Sequence, residues 1–202
     1  MAIKKEEIFE KIEKFLPLND KIIYKLEKFV DLLILQNQKY NLIGKSTIDD
    51  IWNRHILDSI QLIKYIPNRD TKIGDFGSGA GLPAIILSII GIKEIHLIEK
   101  SFRKCEFLQI AKEISENRIV IHQKMAQNVE PIKFDIITSR AFAPLNKLLE
   151  ITQPFAKKDT IGIFPKGKNI LNELDLIKEK LDYELHQSLT SVEGNILITH
   201  YK

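Results

Sequence analysis

Three glycines at alternate positions carry the clearest chemistry in this sequence. The run Ile73-Gly74-Asp75-Phe76-Gly77-Ser78-Gly79-Ala80-Gly81-Leu82-Pro83 passes from an apolar strand through an acid into a helix start. Gly77, Gly79 and Gly81 have no Cβ atoms to hold a ligand off the backbone, and a loop built from them can use positive φ at no steric cost. Pro83 suits the first turn of the following helix, where a missing N–H leaves no bond unmade. The pattern predicts a loop that cradles a nucleotide-type cofactor. A tight strand-to-helix connection is the plainer alternative.

The spacing also discriminates between cofactors. A dinucleotide fingerprint, Gly-x-Gly-x-x-Gly, needs its third glycine at position 82, where this chain has Leu82. Asp-x-Gly-x-Gly-x-Gly instead resembles the S-adenosylmethionine loop of Rossmann-like methyltransferases, which makes Asp75, Gly77 and Gly79 candidate cofactor-binding residues. Glu99 ends the apolar run Ile95-His96-Leu97-Ile98 at about the twenty-residue distance expected of an acid that binds ribose hydroxyls. NAD enzymes share that acid, so Glu99 argues for the fold more than for the chemistry.

Other polar residues fall at the ends of apolar runs. Arg140 follows 134–139, and its guanidinium there could bind cofactor, stack on a base or hold a phosphate through its planar fork. A salt bridge to Asp75 or Asp135 is the competing expectation. Lys166-Gly167-Lys168 follows the next strand and is equally well placed, although such a tripeptide is more often a solvated turn. Arg54 and Asp58 are spaced for a helical ion pair worth a few tenths of a kcal/mol. His55 shares a stripe with Trp52 and Ser59, which favours a hydrogen-bonded core histidine over a base or a metal ligand. Cys105 lies in a helix without a Pro-Cys loop and reads as structural, against a cysteine-nucleophile mechanism.

The elements that must position these groups change character along the chain. Up to Pro67 the apolar spacing is helical: Ile8, Phe9, Ile12, Phe15 and Leu16; then Ile22, Ile23, Leu26, Phe29, Val30, Leu33 and Ile34, with Asn19 or Asp20 as cap; then a third helix over 47–65. Beyond it, strands are predicted at 72–76, 94–99, 118–122, 134–139, 160–164, 183–191 and 195–201, with helices at 82–90, 103–116, 145–155 and 171–181. The expected organisation is an N-terminal helical extension, 1–67, packed on an α/β Rossmann-like domain, 68–202, whose mainly parallel seven-stranded sheet has an antiparallel last strand. Ligands of such sheets bind beyond the carboxyl ends of the strands. That singles out Asp75, Glu99, 122–126, Arg140 and Lys166.

Composition narrows the setting. A chain of 202 residues with one cysteine supports a single core and no disulfide framework or cysteine-rich zinc site, so no metal is expected. No apolar run reaches membrane-span length, and the start Met1-Ala2-Ile3-Lys4-Lys5-Glu6-Glu7 is too acidic for a signal peptide, so a cytoplasmic protein is expected. Net charge of +3 is mild, and any basic footprint must be local.

Taken in order, Tyr40-Asn41-Leu42, Arg54-His55-Ile56-Leu57-Asp58-Ser59, Asp75 to Pro83, Ser139-Arg140-Ala141-Phe142-Ala143 and Lys166-Gly167 resemble the small-subunit (16S) ribosomal RNA guanine-N7 methyltransferases, also known as glucose-inhibited division protein B. The likeness spans nearly the whole chain. It implies a class I S-adenosylmethionine-dependent methyltransferase in which Gly77, Leu82, Met125, Ala126 and Arg140 sit at cofactor-binding positions. Two departures stand out: Glu99 replaces the usual Asp, and Met125-Ala126 replaces a pair that commonly ends in an acid. Glu can still accept both ribose hydroxyls.

The resemblance implies transfer of a methyl group to N7 of a specific guanine in 16S ribosomal RNA. Guanine N7 carries a lone pair and no proton, so no general base is needed, and Arg140 is expected to act by positioning. Arg54, Arg103, Lys104, Phe142, Lys166 and Lys168 are the candidate RNA-binding residues, with Phe142 a stacking surface or a core aromatic. The expected partner is 16S ribosomal RNA within the small ribosomal subunit or a precursor, met by a monomer without membrane involvement. Two alternatives compete: a small-molecule methyltransferase with the N-terminal helices as lid, and a cofactor-binding module without transfer activity.

Overall fold

The computed structural model describes residues 4–177 and 181–202. Two amphipathic helices open it, α1 (Lys5–Glu13) and α2 (Asp20–Tyr40). Asn19 is the cap of α2: its side chain accepts from the N–H of Ile22 at 2.9 Å, and Asn41 closes the helix in the left-handed region at φ 53°.

The third helix departs from expectation. A 3-10 turn, Lys45–Thr47, comes first, and a continuous helical segment, α3, then covers 52–65 as a π-helical Trp52–Leu57, an α-helical Asp58–Ile60 and a 3-10 Gln61–Tyr65. Thr47 is diverted from the helix because its hydroxyl donates to the Gly44 carbonyl at 2.7 Å and receives His55 Nε2 at 2.8 Å. The wide π turn changes which residues share a face, with consequences at the site.

From Lys72 the chain builds the sheet: β1 (Lys72–Phe76), α4 (Ala84–Ile89), β2 (Glu94–Ile98), α5 (Phe102–Ala111), β3 (Arg118–His122), β4 (Phe134–Thr138), α6 (Leu145–Thr152), β5 (Ala156–Lys166), α7 (Ile170–Asp175), β6 (Tyr183–Gln187) and β7 (Asn195–His200). Spatial order is β3-β2-β1-β4-β5-β7-β6, with β7 antiparallel to both neighbours and the other pairings parallel. Chain direction across the sheet reverses between β1 and β4, which opens a crevice beyond their carboxyl ends.

Strand β5 begins earlier than predicted because the polar Lys157-Lys158-Asp159 masks its periodicity, and Asp159 takes φ 69° near a register shift against β4. Strand β6 stops at Gln187, and 188–194 forms a loop closed by Ser188 N–H to the Gly194 carbonyl at 3.0 Å. Pro83 caps α4 rather than entering its first turn. Of the helix expected at 171–181, Ile170–Asp175 is observed, and 178–180 lie outside the described residues.

Alternation along the strands divides the apolar side chains between the two faces of the sheet. Ile73, Ile95, Leu97 and Ile136 join Leu26, Phe29, Leu33, Ile56 and Ile60, so helices α2 and α3 share one core with the sheet. On the opposite face Phe76, Ile137 and Phe164 are joined by Phe155 and by Phe134, which crosses to that face at the register shift between Phe134 and Ile136, in a largely aromatic core under α6 and α7. Each such side chain contributes about 1.5–3 kcal/mol relative to exposure. Among the described residues, no helix is long and apolar enough to cross a membrane.

Candidate active site

The end of β1 supplies the first wall. Gly77, Gly79 and Gly81 take φ of 72°, 57° and 74°, so the loop occupies backbone conformations that side chains disfavour. A Cβ at Gly77 would also collide with the ring of Phe142. Below the loop Asp75 is buried: Oδ1 accepts from Thr138 Oγ1 at 2.8 Å, and Oδ2 has no partner among the described residues. Burial pushes its carboxyl up to about 7 against the opposing pull of Thr138, Ser78 and the Arg140 charge.

At the end of β2, Glu99 is set by two backbone donors: Gly79 N–H reaches Oε2 at 3.0 Å and Ser101 N–H reaches Oε1 at 2.8 Å. The carboxylate is thus tied to the glycine loop, and each oxygen keeps a further lone pair beyond these two bonds. Beyond β3, Met125 is half exposed and Ala126 is buried at the start of a 3-10 turn, Ala126–Asn128. Leu82 is buried at the approach to α4. A glycine cradle open to backbone approach, an oriented carboxylate at β2 and an orphaned buried acid oxygen under the loop fit an adenosine-type cofactor carrying a cationic centre. Cys105 is buried, its thiol donates to the Glu99 carbonyl at 3.3 Å, and burial pushes it up to about 11.

On the other side of β1 a cleft of about 920 Å³ is lined by Arg54, His55, Asp58, Arg140, Phe142, Lys166, Lys168 and the 188–195 segment, among others. Arg140 is anchored in its wall. Nη1 donates to Asp58 Oδ2 at 3.1 Å and to the Arg54 carbonyl at 3.3 Å, while Nη2 meets His55 Nδ1 at 3.1 Å. This corrects two expectations. Arg140 pairs with neither Asp75 nor Asp135, and Arg54 does not pair with Asp58, because the π turn and the guanidinium draw Asp58 away.

The rest of the rim is mixed. Lys166 is held by Glu173 at 2.9 Å, and Lys168 is exposed. Ala141 takes φ 53°, and the turn it makes carries Phe142 back over Gly77, with the ring still partly exposed. Arg54, Arg140, Phe142, Lys166 and Lys168 therefore share one cleft. Arg103 and Lys104 do not line it: they lie on α5, which follows β2 on the other side of β1.

Several participants carry little signal in the sequence. Asp58 Oδ1 also accepts from Thr190 Oγ1 at 3.1 Å and Gln61 Nε2 at 3.0 Å, and Gln61 Oε1 accepts from the Leu189 N–H at 2.8 Å. The 188–194 loop thus buttresses the acid that holds Arg140. Only the polar Ser-Leu-Thr-Ser run hinted at it.

The strand order with β7 reversed, the glycine loop after β1 and the acid after β2 define a Rossmann-like class I S-adenosylmethionine-dependent methyltransferase. Solved structures agree on the fold: a magnesium protoporphyrin IX methyltransferase from Synechocystis with S-adenosylmethionine bound has a TM-score of 0.58 at 15% identity, covering 92% of this chain and 99% of that one. A ribosomal protein L11 methylase from Lactobacillus delbrueckii has a TM-score of 0.57 at 17% identity, covering 71% and 76%. The family model described as rRNA small subunit methyltransferase G matches residues 22–197. Relatives named ribosomal RNA small subunit methyltransferase G are 44% identical in Rickettsia typhi, over 87% of this chain and 92% of the relative, and 44% identical in Rickettsia prowazekii, over 89% and 94%. The chain belongs to this methyltransferase family, and membership makes S-adenosylmethionine its methyl donor.

Proposed function

We propose that this protein methylates N7 of a guanine in 16S ribosomal RNA, with the small ribosomal subunit or a precursor as its substrate. The observation that carries the reading is the cleft itself: the cofactor loop and a rim bearing Arg54, Arg140, Lys166 and Lys168 meet at Phe142, in a chain whose family match spans 22–197.

S-adenosylmethionine would supply the sulfonium methyl group, which the N7 lone pair attacks while the carbon–sulfur electron pair returns to sulfur. Asp75, Gly77, Gly79, Leu82, Glu99, Met125 and Ala126 are the residues proposed to hold it. Glu99 would take the ribose hydroxyls, and the peptide groups around Met125 and Ala126 would meet the base. The acceptor loses no proton in the transfer, which suits a cleft where His55 has both nitrogens engaged. Arg140 uses three of a guanidinium's five N–H groups on protein acceptors, leaving two to orient the acceptor nucleotide or the cofactor. Phe142 offers a ring face to the base.

Lys168 and Arg54 add phosphate contacts, and Arg103 and Lys104 extend the footprint along the far side of the cofactor crevice. So few cations give modest, salt-sensitive affinity for free RNA. An assembled particle as substrate answers that, with the extension 1–67 forming part of the docking face and 68–202 carrying the transfer site. Segment 1–67 already lines the cleft through Asn53, Arg54, His55 and Asp58. The enzyme would act as a monomer in the cytoplasm.

The test uses labelled S-adenosylmethionine and small subunits from a strain lacking the protein, followed by borohydride and aniline cleavage. A strand break at one guanine is expected. Label without cleavage overturns the N7 assignment, and equal rates on particles and protein-free RNA overturn the particle requirement.

A further inference from the structure

His55 is a buried imidazole in the cleft wall whose contacts leave it one possible protonation pattern. Thr47 gives its only hydroxyl proton to the Gly44 carbonyl at 2.7 Å, so its contact with His55 Nε2 at 2.8 Å requires Nε2 to be the donor. Nδ1 then carries the lone pair, and that lone pair faces Arg140 Nη2 at 3.1 Å. Asp58 grips the other terminal nitrogen of the same guanidinium. The Arg54 carbonyl shares Nη1 with Asp58, so that end of the ion is held twice, and His55 Nδ1 is the acceptor that holds the Nη2 end against rotation about Nη1. The helix supplies both from adjacent turns, and Thr190 and Gln61 hold Asp58 from behind.

We propose that His55 is a positioning residue for methyl transfer: its Nδ1 lone pair holds the Arg140 guanidinium in the plane that the acceptor nucleotide meets. The inference rests on the function proposed above. His55 has to remain neutral for this, because an imidazolium has no lone pair and would stand against Arg140 and Arg54. Burial first, then those two arginines, pushes the ring down to about 3, so Nδ1 stays an acceptor at physiological pH. The facing groups are Arg140, Arg54, Asp58 and the Thr47 hydroxyl.

Two amide substitutions separate the ring's two contacts. The carbonyl oxygen of an asparagine stands near the position of Nδ1, and the amide nitrogen of a glutamine stands near Nε2. His55→Asn therefore keeps the acceptor toward Arg140, while His55→Gln keeps only the contact to Thr47. On small subunits lacking the methyl group, His55→Asn is expected to retain kcat within about threefold, and His55→Gln to lose about tenfold or more in kcat with little change in the KM for S-adenosylmethionine. Equal activity in the two variants, high or low, overturns the proposal, because packing alone would not tell them apart.

A second measurement is independent of the RNA. Nitrogen-15 NMR of labelled histidine should show His55 with Nε2–H and an unprotonated Nδ1 between pH 5 and 8, and Arg140→Ala should raise its pKa. A protonated Nδ1 in the wild-type protein overturns the proposal. Failure of the wild type to methylate ribosomal RNA would instead overturn the function reading and leave this measurement to decide the role of His55.

Discussion

The glycine loop and the Arg140 rim are neighbours built on opposite plans. The loop is local: Gly77, Gly79, Glu99 and Asp75 come from β1, β2 and the residues just after them, and backbone N–H groups do the orienting. The rim is assembled from afar, with Arg140 82 positions from Asp58 and Thr190 132 positions from it, and side chains do the orienting. Their buried titratable groups are also perturbed in opposite senses: Asp75 is pushed up to about 7 and His55 down to about 3. A backbone-built loop tolerates surface variation but no added Cβ. A side-chain-built rim is sensitive to each participant.

The largest effect is expected from Gly77→Ala. Its Cβ would meet the Phe142 ring in a backbone of φ 72°, so the loop or the aromatic has to shift. Affinity for S-adenosylmethionine should fall by about a hundredfold or more, and the protein should lose about 1–3 kcal/mol of stability. Calorimetric binding and thermal melting check both. Unaltered affinity would mean that the cofactor does not use the loop's backbone.

Arg140→Ala comes next, and it tests the rim alone. Transfer should fall by about ten- to a hundredfold, the usual scale for losing hydrogen bonds to a charged group, with S-adenosylmethionine affinity changed far less than by Gly77→Ala. If binding of the cofactor collapses equally in both variants, the rim and the loop are one site rather than two.

The contrast in construction also explains what the sequence disclosed. Strands β1 and β3 match their expected spans residue for residue: β3 is a continuous apolar run between polar residues, and β1 is bounded by the glycine turn that follows it, both local signals. The glycine spacing was legible for the same reason. Nothing in Arg54 or Asp58 revealed that a π turn would rotate Asp58 toward Arg140, since that turn is stabilised by Ser59 donating to the His55 carbonyl and by the tertiary contacts themselves. Arg103 and Lys104 follow a strand end as Arg140 and Lys166 do, yet strand order sends them to the other side of β1. Sequence position along a strand predicts depth in the crevice, and only topology decides the bank.

Stability against pH should expose the opposed titrations. Between about pH 4 and 7 native Asp75 holds a proton that the unfolded carboxyl releases, so its contribution falls as pH rises. Between pH 6.5 and about 3 the unfolded chain protonates His55 while the native protein does not, so that contribution falls as pH drops. The two slopes cancel where they overlap. Asp75→Asn should uncover stability rising with pH, and His55→Asn stability declining with it, each by up to about 1.4 kcal/mol per pH unit. Melting curves of the cofactor-free protein from pH 4.5 to 6.5 read this directly. Slopes of the same sign in the two variants would sink the opposed-titration picture.

Lys168→Ala should have the smallest effect and sharpens the division within the rim. Lys166 is committed to Glu173 at 2.9 Å and is largely buried, whereas Lys168 is exposed beyond β5. A solvated lysine meets a phosphate as a point charge, so its removal should weaken binding to the ribosomal particle about uniformly and lower the magnitude of the salt slope by about one. Methyl transfer at saturating substrate should change less than about threefold, because among the described residues nothing ties Lys168 to Arg140 or the glycine loop. A loss as large as that of Arg140→Ala would move the acceptor nucleotide toward β5 and away from the guanidinium, and the division between an anchored arginine that orients and an exposed lysine that attracts would fail.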